Sequence, residues 1–163
     1  MTTGTGHGYF FVLLFTIVIA WSCADRNGVW RQNGIITDCR WNKDSTLRFD
    51  IPVDDTVSLY SISVNLRNRT DYGFQNLYLF LNITAPGGAA TTDTLNFILA
   101  YDDGRWTGSG GLFSKYRENM FLYRKYVRFP YRGNYTASIR HGMRKDELEG
   151  ISSVGLSLSF SED

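Results

Sequence analysis

Apolar and polar residues alternate with period two along most of this chain. Leu47, Phe49 and Ile51 are interleaved with Arg48 and Asp50, and Pro52 closes the run. Tyr60, Ile62, Val64 and Leu66 alternate with Ser61, Ser63, Asn65 and Arg67. Leu77, Leu79, Leu81 and Ile83 stand opposite Tyr78, Phe80, Asn82 and Thr84, and Pro86-Gly87-Gly88 supplies turn chemistry. The same pattern marks Leu95 to Leu99, Tyr123 to Phe129, Tyr135 to Ile139 and Val154 to Phe160. Side chains of a strand point alternately to its two faces, so these runs predict seven strands, each with one buried and one wet side. A single turn around Lys115 to Met120 is the most helix expected, because no segment of ten or more residues carries an apolar stripe at helical spacing. The expectation is an all-β protein, an antiparallel two-sheet β-sandwich of about seven strands. Connections of very unequal length favour it over an up-and-down barrel. Trp41 and the ten tyrosines are expected to fill and edge the sandwich.

The first residues break the pattern. Tyr9 to Ala20 is a twelve-residue apolar run, and no Lys, Arg, Asp or Glu precedes Asp25. Crossing the hydrocarbon core takes about 20 apolar residues, so the run fits the core of a signal peptide better than a membrane span. It ends at Ser22-Cys23, a small residue directly before a cysteine, which is the chemistry of a lipoprotein signal. The expected organisation is a signal peptide over 1–22, a lipidated Cys23 with a tether over 23–40, and the sandwich over 41–163. Bulky Trp21 and the uncharged leading segment depart from the usual signal. The competing readings are a buried strand and an uncleaved anchor, and both leave Cys23 without a role. Acyl chains contribute ~0.8 kcal/mol per buried CH₂, so two or three of them would hold a soluble domain on a membrane.

Composition narrows the function. The formal charge is +1, from 17 basic and 16 acidic residues, which provides no field to attract nucleic acid. Two cysteines, Cys23 and Cys39, are too few for a disulfide framework or a zinc site. His141 is the one histidine behind the signal segment, and nothing marks a nucleophile for it to activate, so a structural histidine is expected. Asp54-Asp55 and Asp102-Asp103 fall at expected turns, where Asp bonds its own backbone, and this reading outweighs calcium binding. The stretch Gly104 to Gly111 lacks phosphate-cradling spacing, whereas Asp103-Gly104 is a hairpin signal. No catalytic residue, metal, cofactor or small-molecule ligand is expected. Trp106 is the leading single candidate for a partner-binding residue, weighed against packing over the sandwich edge. Asn-x-Thr sequons at Asn68, Asn82 and Asn134 carry little weight behind a bacterial lipoprotein signal.

Between the strands lie blocks that do not follow from strand alternation. They include Trp41-Asn-Lys43-Asp-Ser-Thr-Leu47, Val64-Asn-Leu-Arg67-Asn-Arg-Thr-Asp71-Tyr72, Asp103-Gly104-x-Trp106-x-Gly108-x-Gly110-Gly111 and Val127-Arg-Phe129-Pro130. The most specific is Met143-Arg144-x-Asp146-x-Leu148-x-Gly150-Ile151. Over roughly residues 38 to 160 these blocks resemble the GldH family of gliding-motility lipoproteins of the Bacteroidetes. The resemblance implies a non-enzymatic envelope protein associated with gliding motility and type IX secretion. It implies anchoring by lipid on Cys23, in the outer membrane, with other envelope proteins as partners. On that reading the loops Asp103–Asn119 and His141–Gly150 dock partners, with Trp106, Arg144 and Asp146 as the candidate contacts. Asp44-Ser45, Asp55-Thr56 and Asp93-Thr94 also look like the O-glycosylation signals of these bacteria. The alternative is a carbohydrate-binding sandwich, suggested by 15% aromatic content.

Overall fold

The computed structural model describes residues 28–111 and 113–161, so the expected signal peptide and Cys23 lie outside the described residues. The strands are β1 (Gly28–Ile35), β2 (Arg40–Asn42), β3 (Leu47–Val53), β4 (Tyr60–Arg69), β5 (Asn76–Thr84), β6 (Ala90–Ile98), β7 (Tyr116–Val127), β8 (Gly133–His141), β9 (Glu147–Glu149) and β10 (Ile151–Phe160). One 3-10 turn, Thr37–Cys39, joins β1 to β2. A four-stranded sheet has the order β1-β10-β4-β7, a second has the order β3-β8-β5-β6, and β2 and β9 form a short ladder of their own. Every pairing is antiparallel.

The alternation explains the layers. Ile62, Val64 and Leu66 of β4 and Leu156 and Leu158 of β10 are at most 2% exposed. So are Phe49 and Ile51 of β3, Leu77, Leu79 and Leu81 of β5, and Ala137 and Ile139 of β8, and all belong to one apolar cluster. Burying each of the large side chains contributes about 1.5–3 kcal/mol relative to exposure, which makes this cluster the main source of stability. The all-β sandwich expectation therefore holds, with ten strands among the described residues instead of seven.

The seven expected strands are β3 to β8 and β10; the additional ones are β1, β2 and β9. Residues 28–35, assigned from sequence to the tether, form β1 and pair with β10 from Gly28 to Ile35. Their alternation is weak because β1 exposes Arg31, Gln32 and Asn33 in succession and turns mainly Trp30 toward the core. The turn expected at Lys115 to Met120 is instead the start of β7, an edge strand, which exposes Met120 and Leu122. Strands β2 and β9 are three residues each, too short for periodicity to register.

Three of the four edges of the four-stranded sheets, β3, β6 and β7, are blunted. Pro52 removes a backbone donor from β3. Asp93 of β6 is turned inward, where its carboxylate accepts hydrogen bonds from Tyr123 and, at 2.8 Å, from Arg124. Strand β7 is irregular where it pairs with Tyr60 to Ser63, and Tyr126 there has a φ of 59°. Further along β7, Ser109 and Glu118 exchange two backbone hydrogen bonds of 2.8 Å, which covers that end. Gly108 and Gly110 permit this contact: a Cβ on Gly108 would lie 2.4 Å from the Glu118 carbonyl oxygen, and one on Gly110 2.7 Å from that of Tyr116. The glycine-rich stretch thus serves close packing on a strand.

Candidate functional site

The outer face of β8, β5 and β6 is polar over much of its length, with Asn82 donating to Thr92 and Asn76 to Asn96, each at 2.8 Å. At one end it changes character. Phe80 lies in register with Arg140 on one side and Thr94 on the other, and Tyr78 follows two residues earlier on the same face. Tyr78 and Phe80 form the floor of an open groove of about 570 Å³. Phe74 and Met143 add apolar walls, and Arg144 and Lys145 stand at its rim. Phe74 and Tyr78 are exposed, and the Arg140 guanidinium sits 4.8 Å from the centre of the Phe80 ring.

The loop between β8 and β10 is held against this floor by its own sequence. The Gly142 N–H donates to the Tyr78 carbonyl at 2.7 Å, and a Cβ at Gly142 would touch the Phe80 ring at 3.0 Å. The Tyr78 N–H donates to the Met143 sulfur at 3.4 Å. Asp146 accepts from Lys43 Nζ at 2.5 Å, and the Asp146 carbonyl accepts from the Lys43 N–H at 2.9 Å. This pairing holds the Asp146 carboxyl below its ordinary range and raises the Lys43 ammonium above its own. Leu148, 1% exposed, lies opposite Trp41 in the β2–β9 ladder. Gly150, at φ 96°, presses on Tyr72, where a Cβ would come within 3.0 Å of the Tyr72 Cα. Met143, Asp146, Leu148 and Gly150 thus each have a structural role, and Ile151 is fully buried in the core cluster. Arg144 is exposed and makes no hydrogen bond or ion pair to any described residue, so it is free to meet something else.

The structure places the three candidate contact residues differently. Arg144 borders the groove, Asp146 is engaged with Lys43, and Trp106 is half-buried. Asp103-Gly104 forms the expected turn: the Gly104 N–H donates to the Tyr101 carbonyl, and Ala100 and Trp106 bridge behind it. The turn returns Trp106 onto the sandwich edge, 6.4 Å from the Tyr72 ring. Tyr72 in turn lies 5.6 Å from Phe74, so a row of aromatics connects Trp106 to the groove. Sequence reasoning missed Tyr78, Phe80 and Phe74. They occupy the wet side of β5 or its approach, and their excess of aromatics over polar residues was the available signal.

Two further expectations meet the geometry. Asn68, the first sequon asparagine, is fully buried with its amide donating to the Arg69 carbonyl at 3.0 Å, while Asn134 is exposed. His141 is 3% exposed, stacks edge-on against Trp41, and has Nε2 at 3.1 Å from the Trp41 carbonyl oxygen. Nδ1 is buried with no partner. Burial pushes the imidazole below its ordinary 6.5, the hydrogen bond to Trp41 opposing this only partly. The unfolded chain therefore binds more protons than the folded one below pH 6.5, and stability falls as the pH drops through that point. Thermal melts between pH 7 and 5 are expected to show this decline. In a His141→Gln variant, less stable at pH 7, the profile over this window is expected to be flatter.

Comparison with known proteins agrees with the layout. The family described as GldH lipoprotein matches residues 29–158. A gliding motility lipoprotein GldH homolog of Christiangramia forsetii is 34% identical over 160 residues, covering 94% of this chain and 96% of the relative. The gliding motility lipoprotein GldH of Flavobacterium johnsoniae is 34% identical over 151 residues, covering 88% and 91%. Among solved structures, infectious bursal disease virus Gx strain aligns over 80% of this chain and 32% of that one, at 16% identity. Its TM-score of 0.33 is too low to bear on the fold. On the family match and the near full-length relatives, this chain belongs to the GldH lipoprotein family.

Proposed function

We propose that this protein is a non-enzymatic, lipid-anchored component of the cell envelope, associated with gliding motility and type IX secretion, whose groove beside β5 docks other envelope proteins. The observation that carries the reading is an apolar, aromatic floor left open on a sheet face that is polar over much of its length. The floor rests on the central strands β8 and β5 and on a loop pinned at Tyr78, Lys43 and Tyr72, so it offers a partner a preformed surface. The blunted edges of β3 and β6 disfavour strand addition to the sheet that carries the groove. The relatives' names supply the association with gliding motility and the lipid anchor.

Acyl chains on Cys23, in the outer membrane, would hold the domain close. Gly28 opens β1 five residues after Cys23, and an extended link of that length spans at most about 18 Å. A sugar ligand fits less well. Trp41 is buried, Trp30 and Trp106 pack half-buried against the core, and Arg140 covers a face of Phe80.

Intact mass measurement on protein from native membranes is expected to give a mature N-terminus at an acylated Cys23, lost in Cys23→Ala; an unprocessed Met1 chain contradicts the lipid anchor on Cys23. Chemical cross-linking and pull-down from the same membranes is expected to recover envelope proteins. Recovery of none under any condition contradicts the docking role.

A further inference from the structure

We infer that the groove beside β5 takes an acidic segment of a partner protein, one that sets a carboxylate pair around an aromatic or branched aliphatic side chain. This rests on the docking reading above and specifies its chemistry. The floor of Tyr78, Phe80 and Met143 calls for an apolar side chain, and a thioether wall adapts to its shape. The surrounding charge is of one sign. Arg140, Arg144 and Lys145 are exposed around the floor, and among the described residues no acidic one lines it. The nearest acidic side chains in the sequence are already engaged: Asp146 with Lys43, Glu147 and Glu149 with Arg40, and Asp71 with Arg69. None of the three groove cations has a carboxylate within ion-pairing distance among the described residues.

On a chain of net charge +1 this is local charge, so it selects a partner segment without attracting anions to the whole surface. Two guanidinium groups can each receive a carboxylate by two parallel hydrogen bonds. Arg140 is held over Phe80, so a carboxylate reaching it brings the neighbouring side chain beside that ring, against Tyr78 and Met143. A bare phosphate or a lipid headgroup would use the cations and leave the aromatic floor uncovered, which disfavours both.

The test uses full-length protein in native membranes with a photo-reactive benzoylphenylalanine in place of Thr94, an exposed groove residue. The cross-linked peptide is sequenced, and yields are compared with those of the Arg144→Glu/Lys145→Glu double variant. Both positions are exposed, and thermal melting verifies folding; Arg144→Gln/Lys145→Gln serves as a second variant should the reversal impair export. The expected result is an adduct on a peptide with at least two carboxylates beside an apolar residue. Its yield should fall about tenfold on charge reversal, fall less on neutralisation, and decline with rising salt. An adduct on a neutral or basic peptide, or on lipid or glycan, overturns the inference. A yield indifferent to both variants does so as well, and with a protein adduct present the docking reading itself survives. Absence of any Thr94 adduct overturns both.

Discussion

Replacing Trp41 with alanine is expected to lower the unfolding free energy by about 3–5 kcal/mol, the range for truncating a fully buried large aromatic. For a domain of this size that corresponds to a melting temperature lower by roughly 10–20 °C. Trp41 is 1% exposed, donates from Nε1 to the Ser45 carbonyl at 3.0 Å, faces Leu148 across the β2–β9 ladder and supports the His141 ring. Its loss opens a cavity below the loop that carries Arg144 and Lys145, so amide exchange in residues 142–150 should accelerate more than in the sheets. Trp106→Ala, which removes a half-buried side chain from the sandwich edge, should cost only about 1–2 kcal/mol. Calorimetry on the two variants checks the ranking, and equal losses would contradict the placement of both tryptophans.

The second large effect is expected at Gly155, in the middle of β10 between β1 and β4. A Cβ there would lie 2.3 Å from the Gln32 carbonyl oxygen and 2.0 Å from Asn33 Oδ1. The first of these is backbone, so side-chain rotation alone does not relieve the clash. Gly155→Val should therefore push β1 off the sheet, at a cost of about 3 kcal/mol or more given how overpacked sites respond. Protection from hydrogen exchange should be lost over residues 28–35 while β4 and β5 stay protected. Because β1 is the first described element after Cys23, the same variant lengthens the link between any lipid anchor and the folded domain. Retained protection across 28–35 would show that β1 tolerates a displacement that these distances forbid.

Legibility in the sequence followed burial. Strands whose inward residues are apolar and outward residues polar, such as β4 with Ile62, Val64 and Leu66 against Ser63, Asn65 and Arg67, announced themselves by period two. Strands with mixed faces were less legible, because both of their sides carry polar or exposed residues: β1 exposes Arg31, Gln32 and Asn33, and the first half of β7 exposes Met120 and Leu122, whereas β3, also at an edge, alternates cleanly. The block Met143 to Ile151 was recognisable as unexplained by strand pattern, and its individual roles emerged only from contacts far apart in sequence. Asp146 meets Lys43, Leu148 meets Trp41, and Gly150 meets Tyr72. Once these partners are known, Arg144 and its neighbour Lys145 stand out in that block as exposed residues with no hydrogen bond or ion pair to a described residue. The groove floor was missed because Tyr78 and Phe80 occupy outward positions of β5, where aromatic side chains read as sheet formers as easily as contacts.

The docking claim is tested most directly by where a partner touches the domain. Benzoylphenylalanine is placed at Thr94 in the groove or at Leu122, which is 58% exposed on β7 of the other sheet. Each protein is illuminated in native membranes. The groove position is expected to yield a discrete envelope-protein adduct and Leu122 little or none. Equal adducts at both sites, or an adduct at Leu122 alone, would contradict the assignment of this groove as the surface through which the protein works.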